Sequence, residues 1–458
     1  MRLMSPTDSV FLLGESREHP MHVGGLLLFE PPPDAGPDYA RMVYEDALAQ
    51  TESTRLFRTH PANPVGLLGT VAWTTDKELD LDYHIRHNAL PKPGRVRELL
   101  ALVSRMHGSL LDRHRPLWEL HVIEGLEDGR IALYTKVHHA LVDGVSSMRL
   151  LQRSLSEDPD KRDCPLMWSP SGRHRRNDVS VDPVELLRSG AAILRDAAGL
   201  APVTARIVNK ALNDKDLVRP LQAPHTMFNV GIGGARRFAA QSWPIDRCRS
   251  VARSTGTKLN DVVLAMCAGA LREYLLERNA LPEDPLIAAV PVSLHSRRNS
   301  NDDGDGGGNA VSVLLCNLAT DVADPLDRLA AINNSMNQGK DMMAGLTQLQ
   351  ATAVGAASIA SLTLAQLPGL AEHAPASFNL FISNVPGPKE EMYYNGARLD
   401  GFYPVSIVLD GFALNITLTS RAGYLDFGLI GCRHSVPHLQ RLLTHLDDSL
   451  TELEKAAS

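Results

Sequence analysis

An α/β protein (α+β in the mixing of its sheets) with two domains is what the sequence predicts, and three observations carry that expectation. At 458 residues the chain exceeds the length at which a single hydrophobic core keeps growing. Strand-like and helix-like hydrophobic periods alternate in both halves, with no short-period internal repeat. Between the halves, residues 157–182 turn rich in Asp, Pro, Ser and Arg, which marks an exposed crossover. Residues 1–156 are therefore read as a first domain, 157–228 as a linker and 229–458 as a second domain.

In the first section, residues 21–30 (MHVGGLLLFE) read as a buried strand and residues 39–50 as a helix. Residues 97–111 form an amphipathic helix whose Leu99, Leu102, Val103, Met106 and Leu110 stripe is core packing. Pro116-Leu117-Trp118 leads into a strand over 118–124, and the turn Glu127-Asp128-Gly129 joins it to a second strand over 130–137. The pair reads as a hairpin. Residues 145–155 follow as a helix with Met148, Leu151 and Leu155 inward.

In the linker, the run Arg173-His174-Arg175-Arg176 is a solvated face, with attraction to anionic headgroups or CoA phosphates as the sharper alternative. Residues 183–198 have Pro at their start and apolar residues at helical spacing, an amphipathic helix that docks on the protein, with a bilayer surface as the alternative. The second section opens near Asn229. Residues 258–279 form a helix with Val262, Val263, Met266, Ala270, Leu271, Tyr274 and Leu275 on one stripe and Asn279 at its end. Buried strands over 286–294 and 310–318 flank residues 301–309 (NDDGDGGGN), which lack the G-K-[ST] of a phosphate loop and the closing Glu of a calcium loop. That segment is read as a loop. Residues 325–369 are largely helical; strands over 377–385, 403–409, 412–419 and 424–430 follow, and a helix over 436–455 closes the chain.

Composition narrows the function. A net charge of −7 speaks against nucleic acid as the partner. Five scattered cysteines, with no C-x-x-C pair, fit a reducing, cytoplasmic setting and neither a disulfide framework nor a zinc site. The first residues (MRLMSPTDSVFLLGE) lack the apolar core and cleavage site of a signal peptide. No stretch offers the ~18 uninterrupted apolar residues of a spanning helix, so any meeting with a membrane is expected at its surface.

The chemistry concentrates in His138-His139-Ala140-Leu141-Val142-Asp143-Gly144, directly after the strand over 130–137. A strand ending in a turn delivers its last side chains to a rim, and Gly144 can take the positive φ a sharp turn needs. An imidazole near its ordinary pKa of about 6.5 takes a proton from an alcohol or thiol and returns it later. Asp143 either joins that traffic or folds back to hold the turn. Adjacent strand residues point to opposite faces, so the two imidazoles are poorly placed to share a metal.

The HHxxxDG turn, Pro116-Leu117-Trp118, Asn260-Asp261, Pro291-Val292-Ser293 and Asn384-Val385-Pro386-Gly387-Pro388 each sit at the edge of an element. Together, from residues 3–8 to residues 425–429, they resemble the bacterial wax ester synthase/acyl-CoA:diacylglycerol acyltransferase family. The resemblance implies two chloramphenicol-acetyltransferase-like domains of the CoA-dependent acyltransferase superfamily with a tunnel at their interface. It implies transfer of a long-chain acyl group from acyl-CoA to the hydroxyl of diacylglycerol, with long-chain fatty alcohols as alternative acceptors. No cofactor and no metal are implied. His139 becomes the general base, Asp143 the holder of the turn and His138 a supporting residue. Asn260, Asp261, Pro116, Trp118, Asn384, Gly387 and Asn415 are assigned to the tunnel and substrate binding. Contact with the inner membrane face or with lipid droplets would be peripheral.

Rival readings lack their marks. A glycerol-phosphate acyltransferase would add a P-E-G-T-like motif and an apolar anchor, and a serine hydrolase a G-x-S-x-G, where Gly144 to Met148 misses the last glycine. An amide-forming condensation enzyme shares the HHxxxDG turn but sits among carrier modules. A degenerate homologue that only binds lipid or CoA would keep the fold without the base. Two stretches depart from the family's pattern: residues 297–309 are acidic and Gly-rich, and Ser420-Arg421 stands where an aromatic is commoner.

Overall fold

The computed structural model describes residues 2–62, 72–170, 221–293, 311–344, 373 and 375–458. The 301–309 loop, the 173–176 basic run, the 183–198 helix and the 345–369 part of the long helical stretch lie outside these residues.

The first half runs β1 (Arg2–Leu3), α1 (Pro6–Gly14), β2 (His22–Glu30), α2 (Tyr39–Ala49), β3 (Thr59–Pro61), β4 (Ala72–Thr75), α3 (Leu81–His84), β5 (Ile85–Ala89), α4 (Val96–His107), β6 (Trp118–Glu124), β7 (Ile131–His138) and α5 (Gly144–Arg153). The second half runs β8 (Arg236–Pro244), α6 (Ile245–Thr255), α7 (Leu259–Leu276), β9 (Ile287–Ser293), β10 (Val311–Asn317), α8 (Pro325–Ala344), β11 (Leu380–Val385), β12 (Tyr393–Tyr394), β13 (Ala397–Val405), β14 (Leu414–Arg421), β15 (Tyr424–Cys432) and α9 (Arg441–Ala456). Two six-stranded sheets result, in the orders β12-β13-β2-β7-β6-β5 and β10-β9-β11-β14-β15-β8. The second-half strands β12 and β13 thus complete the first-half sheet. β13 pairs antiparallel with β2 from Arg398↔Glu30 to Val405↔Gly24.

Strand β7 lies in the middle of its sheet and is buried along its whole length. Its alternation splits into two environments. Ile131, Leu133 and Val137 join a core with Trp118, Leu120 and Val122 of β6. On the other face Ala132 and Tyr134 join the larger core, which continues into the second half. Helix α4 covers that face: Leu99 and Val103 are fully buried, and Ser104 Oγ accepts the Phe238 N–H of β8 at 2.9 Å. It therefore wedges between the halves. Helix α7 is enclosed all round from Asp261 to Leu271, as befits the central helix of the second half. Asn279 after it holds a φ of 50°, the left-handed ending its residue type favours.

Several expectations are corrected. The 97–111 helix stops at His107 with Gly108 as its cap, and Leu110 lies beyond it, exposed. The 403–409 strand is in fact Ala397–Val405; after Val405 the chain leaves the sheet, and Gly411 and Ala413 donate to the carbonyls of Val230 and Phe228. The closing helix begins at Arg441, not residue 436. Cys164, Leu166, Met167 and Trp168, read as exposed crossover, are buried against the first-half core, where the Trp168 ring stacks on Trp118 at 4.8 Å. Helices α1 and α6 and strands β5 and β8 went unassigned from sequence.

Candidate active site

β2 and β7 pair antiparallel with His22 opposite His138, so the two strands end together and the next residue is the first to leave the sheet. Both flanks pin it. The His138 N–H donates to Leu117 O at 3.0 Å, and the His139 N–H donates to Met21 O at 2.8 Å. Leu117 belongs to the Pro116-Leu117-Trp118 motif, whose work here is to hold the turn through a main-chain carbonyl. The His139 ring is half-buried and stacks on Phe11 of α1, centroids 4.1 Å apart and planes 22° from parallel.

Burial lowers the His139 pKa to about 4, and the Asp143 carboxylate opposes the shift. The imidazole is therefore neutral at physiological pH, the state a general base needs. Asp143 is the N-cap of α5: its Oδ1 accepts the Ser146 N–H at 2.7 Å and its backbone is extended. It holds the turn while its charge favours the imidazolium form of His139. Gly144 does not take a positive φ and begins the helix; a Cβ added there would meet nothing within 4 Å. Openness beside the turn, not backbone strain, is what this glycine supplies.

The two roles of Asp143 separate experimentally. Asp143→Asn keeps a capping oxygen, so its stability is expected to stay within about 0.5 kcal/mol of the wild type. Asp143→Ala loses about 1 kcal/mol as well. Both lose the charge, so kcat should fall in both, and melting curves set against kcat for the two variants check the assignment.

His138 is fully buried. Its Nδ1 accepts the Ala140 N–H at 3.1 Å, which leaves the proton of a neutral ring on Nε2, 3.3 Å from Glu15 Oε1. Behind the turn, on the same face of β7, Lys136 Nζ lies 2.9 Å from Glu119 and donates to the carbonyls of Met106 and Ser109. His107 Nε2 donates to Ser406 O at 2.8 Å while its Nδ1 accepts from Tyr134 OH, which ties α4 to the second half.

The residues assigned to a tunnel separate into distinct places. Asn384 Nδ2 donates to Asn260 Oδ1 at 3.3 Å, so two motifs far apart in sequence meet as an amide pair, both half-exposed. Beside Gly387, Gln152 at the end of α5 donates to Pro386 O, which links the HHxxxDG helix to the NVPGP segment. Gly387 is a packing requirement: a Cβ would stand 2.0 Å from Ser420 O. Asp261 is a buried cap of α7 whose Oδ2 accepts from the Lys258 N–H and Asn333 Nδ2. Asn415 is buried and bonds Ser406, Ile407 and Thr417. Trp118 is corrected outright. It shares the face of Val137, opposite that of His138, and its Nε1 donates to Phe57 O inside the first-half core. Pro116, also buried, accepts the Trp118 N–H. A cavity of about 340 Å³ opens between the halves among Leu28, Leu99, Arg130, Ser242, Tyr403 and Arg421. It lies at the Arg130 end of β7, away from His139, and none of the assigned tunnel residues line it. Glu15, Arg113 and Phe11 were missed, because no periodicity or motif spacing connects them to residue 139.

The fold resembles that of condensation domains. The first condensation domain of the CDA synthetase overlays with a TM-score of 0.57 over 99% of this chain and 95% of that one, at 17% identity, a likeness of fold alone. The chain belongs to the wax ester synthase/diacylglycerol acyltransferase family: the catalytic-domain model of that family matches residues 4–263 and its C-terminal-domain model residues 307–454. A Mycobacterium tuberculosis protein named as a probable diacylglycerol O-acyltransferase is 56% identical over 456 residues, covering 100% of this chain and 99% of the relative. The O-acyltransferase WSD of Acinetobacter baylyi is 41% identical over 462 residues, 99% and 97% of the two chains. The solved wax ester synthase/diacylglycerol acyltransferase from Marinobacter aquaeolei VT8 is 42% identical, with a TM-score of 0.81 over 100% of both chains.

Proposed function

We propose that the protein transfers a long-chain acyl group from acyl-CoA to the hydroxyl of diacylglycerol, forming triacylglycerol, with His139 as general base. The observation that carries this reading is the neutral, half-buried His139 imidazole at the open end of β7, with the Asp143 carboxylate close enough to favour its protonated form. His139 removes the hydroxyl proton as the oxygen attacks the thioester carbon, the C–S bond breaks, and the imidazolium protonates the departing CoA thiolate. The Asp143 cap satisfies the Ser146 N–H, and the remaining first-turn N–H groups of α5 are natural donors to the tetrahedral oxyanion. As written, the reaction calls for no cofactor beyond the acyl-CoA co-substrate and no metal.

The Marinobacter relative, named a wax ester synthase as well as a diacylglycerol acyltransferase, favours a second acceptor class, long-chain fatty alcohols, which give wax esters. Labelled palmitoyl-CoA offered separately to diolein and to hexadecanol distinguishes the two. Triacylglycerol is the expected main product; faster wax ester formation would reverse the order. Both acceptors are apolar, and no helix among the described residues is long and apolar enough to cross a membrane. Delivery from a bilayer face or a lipid droplet would therefore be by peripheral contact.

A further inference from the structure

The Glu15 carboxylate, at the C-terminal end of α1, joins Met21, Arg113 and His138 beside the HHxxxDG turn. Its side chain is 1% exposed. Oε1 lies 3.3 Å from His138 Nε2 and accepts the Met21 N–H at 3.3 Å; the carbonyl of the same Met21 holds the His139 N–H. Oε2 lies 2.9 Å from both Nε and Nη2 of Arg113, and Nη2 also donates to Leu12 O at 2.7 Å. Leu12 follows Phe11, the ring stacked on His139.

We propose that Glu15 and Arg113 form a charge-balanced clamp that keeps His138 neutral with its proton on Nε2, and so holds the turn that aims His139. The inference rests on the reading of His139 as the base, and Glu15 and Arg113 act through others, as positioning residues.

The physical case turns on the Ala140 N–H. It needs a lone pair on His138 Nδ1, and an imidazolium has none. Protonation of His138 would set two donors head to head inside the turn and break it one residue from His139. An isolated carboxylate 3.3 Å from a buried imidazole would draw that proton in. Arg113 cancels the pull. Burial alone would raise the Glu15 pKa, yet the contact with His138 and the guanidinium of Arg113 hold it below the usual carboxylate range, so the charge is present to be balanced.

The other ionisable groups around His138 leave the pair in control. His22 on β2 and His107 on α4 are both pushed down, chiefly by burial, and stay neutral. Lys136 on β7 is engaged by Glu119 at 2.9 Å, and the neighbouring His139 is neutral.

The test compares Arg113→Met, Glu15→Gln and their combination with wild type in the full-length protein, measuring kcat and KM for acyl-CoA from pH 6 to 9. Arg113→Met leaves the carboxylate unbalanced, so kcat is expected to fall about tenfold at pH 6.5 through misplacement of the base, with KM nearly unchanged. It should recover toward wild type at pH 9. Glu15→Gln keeps the shape and removes the charge, and its smaller loss, about threefold, should not depend on pH. The double variant should lose the pH dependence of Arg113→Met. A loss in Arg113→Met that is uniform across pH, or that the second substitution does not flatten, would overturn the clamp and leave the ion pair a mere structural tie. If Arg113→Met fails to fold, the single Glu15→Gln decides: a pH-dependent loss there overturns the proposal and a pH-independent one supports it. His139→Ala run alongside keeps the two readings apart, since an active His139→Ala removes the base assignment whatever the clamp variants do.

Discussion

His139→Ala is expected to lower kcat by about 10²–10⁴-fold, the range that general-base catalysis supplies, with little change in KM. Thiol release from palmitoyl-CoA in the presence of diolein measures it. The split between kcat and KM follows from the geometry. The half-buried ring lies at a strand end, stacked on Phe11, with its main chain held by Met21 O, so its removal deletes a proton acceptor without dismantling the turn. What activity remains should come from holding the thioester and the hydroxyl together. A variant with wild-type kcat would remove the base from the mechanism and leave a protein that works by positioning alone.

The same ring sets the acid limb of the rate profile. Its pKa of about 4, well under the ordinary 6.5, reflects burial first and the Asp143 charge opposing it. A base acts in its neutral form, so kcat/KM should stay level as pH falls through 6.5 and decline only near 4. The sign of the stability effect is the opposite of a histidine that gains an anionic partner. His139 and His107, the latter near 3, bind protons more readily unfolded than folded. Their contribution is complete above about pH 6.5 and is lost as pH drops through the window down to those values. Rate and melting temperature should therefore separate between pH 6.5 and 5, the melting temperature falling while kcat/KM holds.

The strongly periodic elements were legible because burial on one face leaves a mark in the sequence. The α7 stripe from Val262 to Leu275, the hairpin of β6 and β7 and the position of the His-His turn needed nothing beyond local pattern. What escaped was long-range. No residue near 397–405 announces that its strand pairs with β2, some 375 residues earlier, since a strand's partner is chosen by shape and packing of both halves. Trp118 illustrates the limit within the site. A tryptophan beside a motif invited a tunnel role, but period-2 alternation in β6 turns it to the face opposite His138. Asp143 was legible in both candidate roles, and the extended backbone before a helix made it a cap. Glu15 and Arg113 lie 98 positions apart, and only the folded turn brings them to one imidazole.

Arg421→Ala should be the most costly single change away from the turn, at about 3–5 kcal/mol. This arginine is 5% exposed, and its Nε meets Asp426 Oδ2 at 2.7 Å. Its remaining donors reach Leu399 O and Asp400 O on β13, so one side chain fastens the β14–β15 hairpin of one sheet to a strand of the other. Asp426 is fully buried and also accepts from Ser242 Oγ and the Phe402 N–H. Burial pushes the Asp426 pKa up even with the guanidinium opposing it. Without Arg421 it should rise further. A carboxyl whose folded pKa exceeds its unfolded one stabilises below the unfolded value and loses that contribution as pH climbs through the folded one. Denaturant midpoints should accordingly show the variant's deficit largest at pH 7 and smaller toward acid pH, as Asp426 takes a proton. Arg421→Met combined with Asp426→Asn, which removes both charges, should recover much of the loss at pH 7. A deficit independent of pH, and not relieved by the second substitution, would mean that the arginine acts through its packing against β13 and not through its charge.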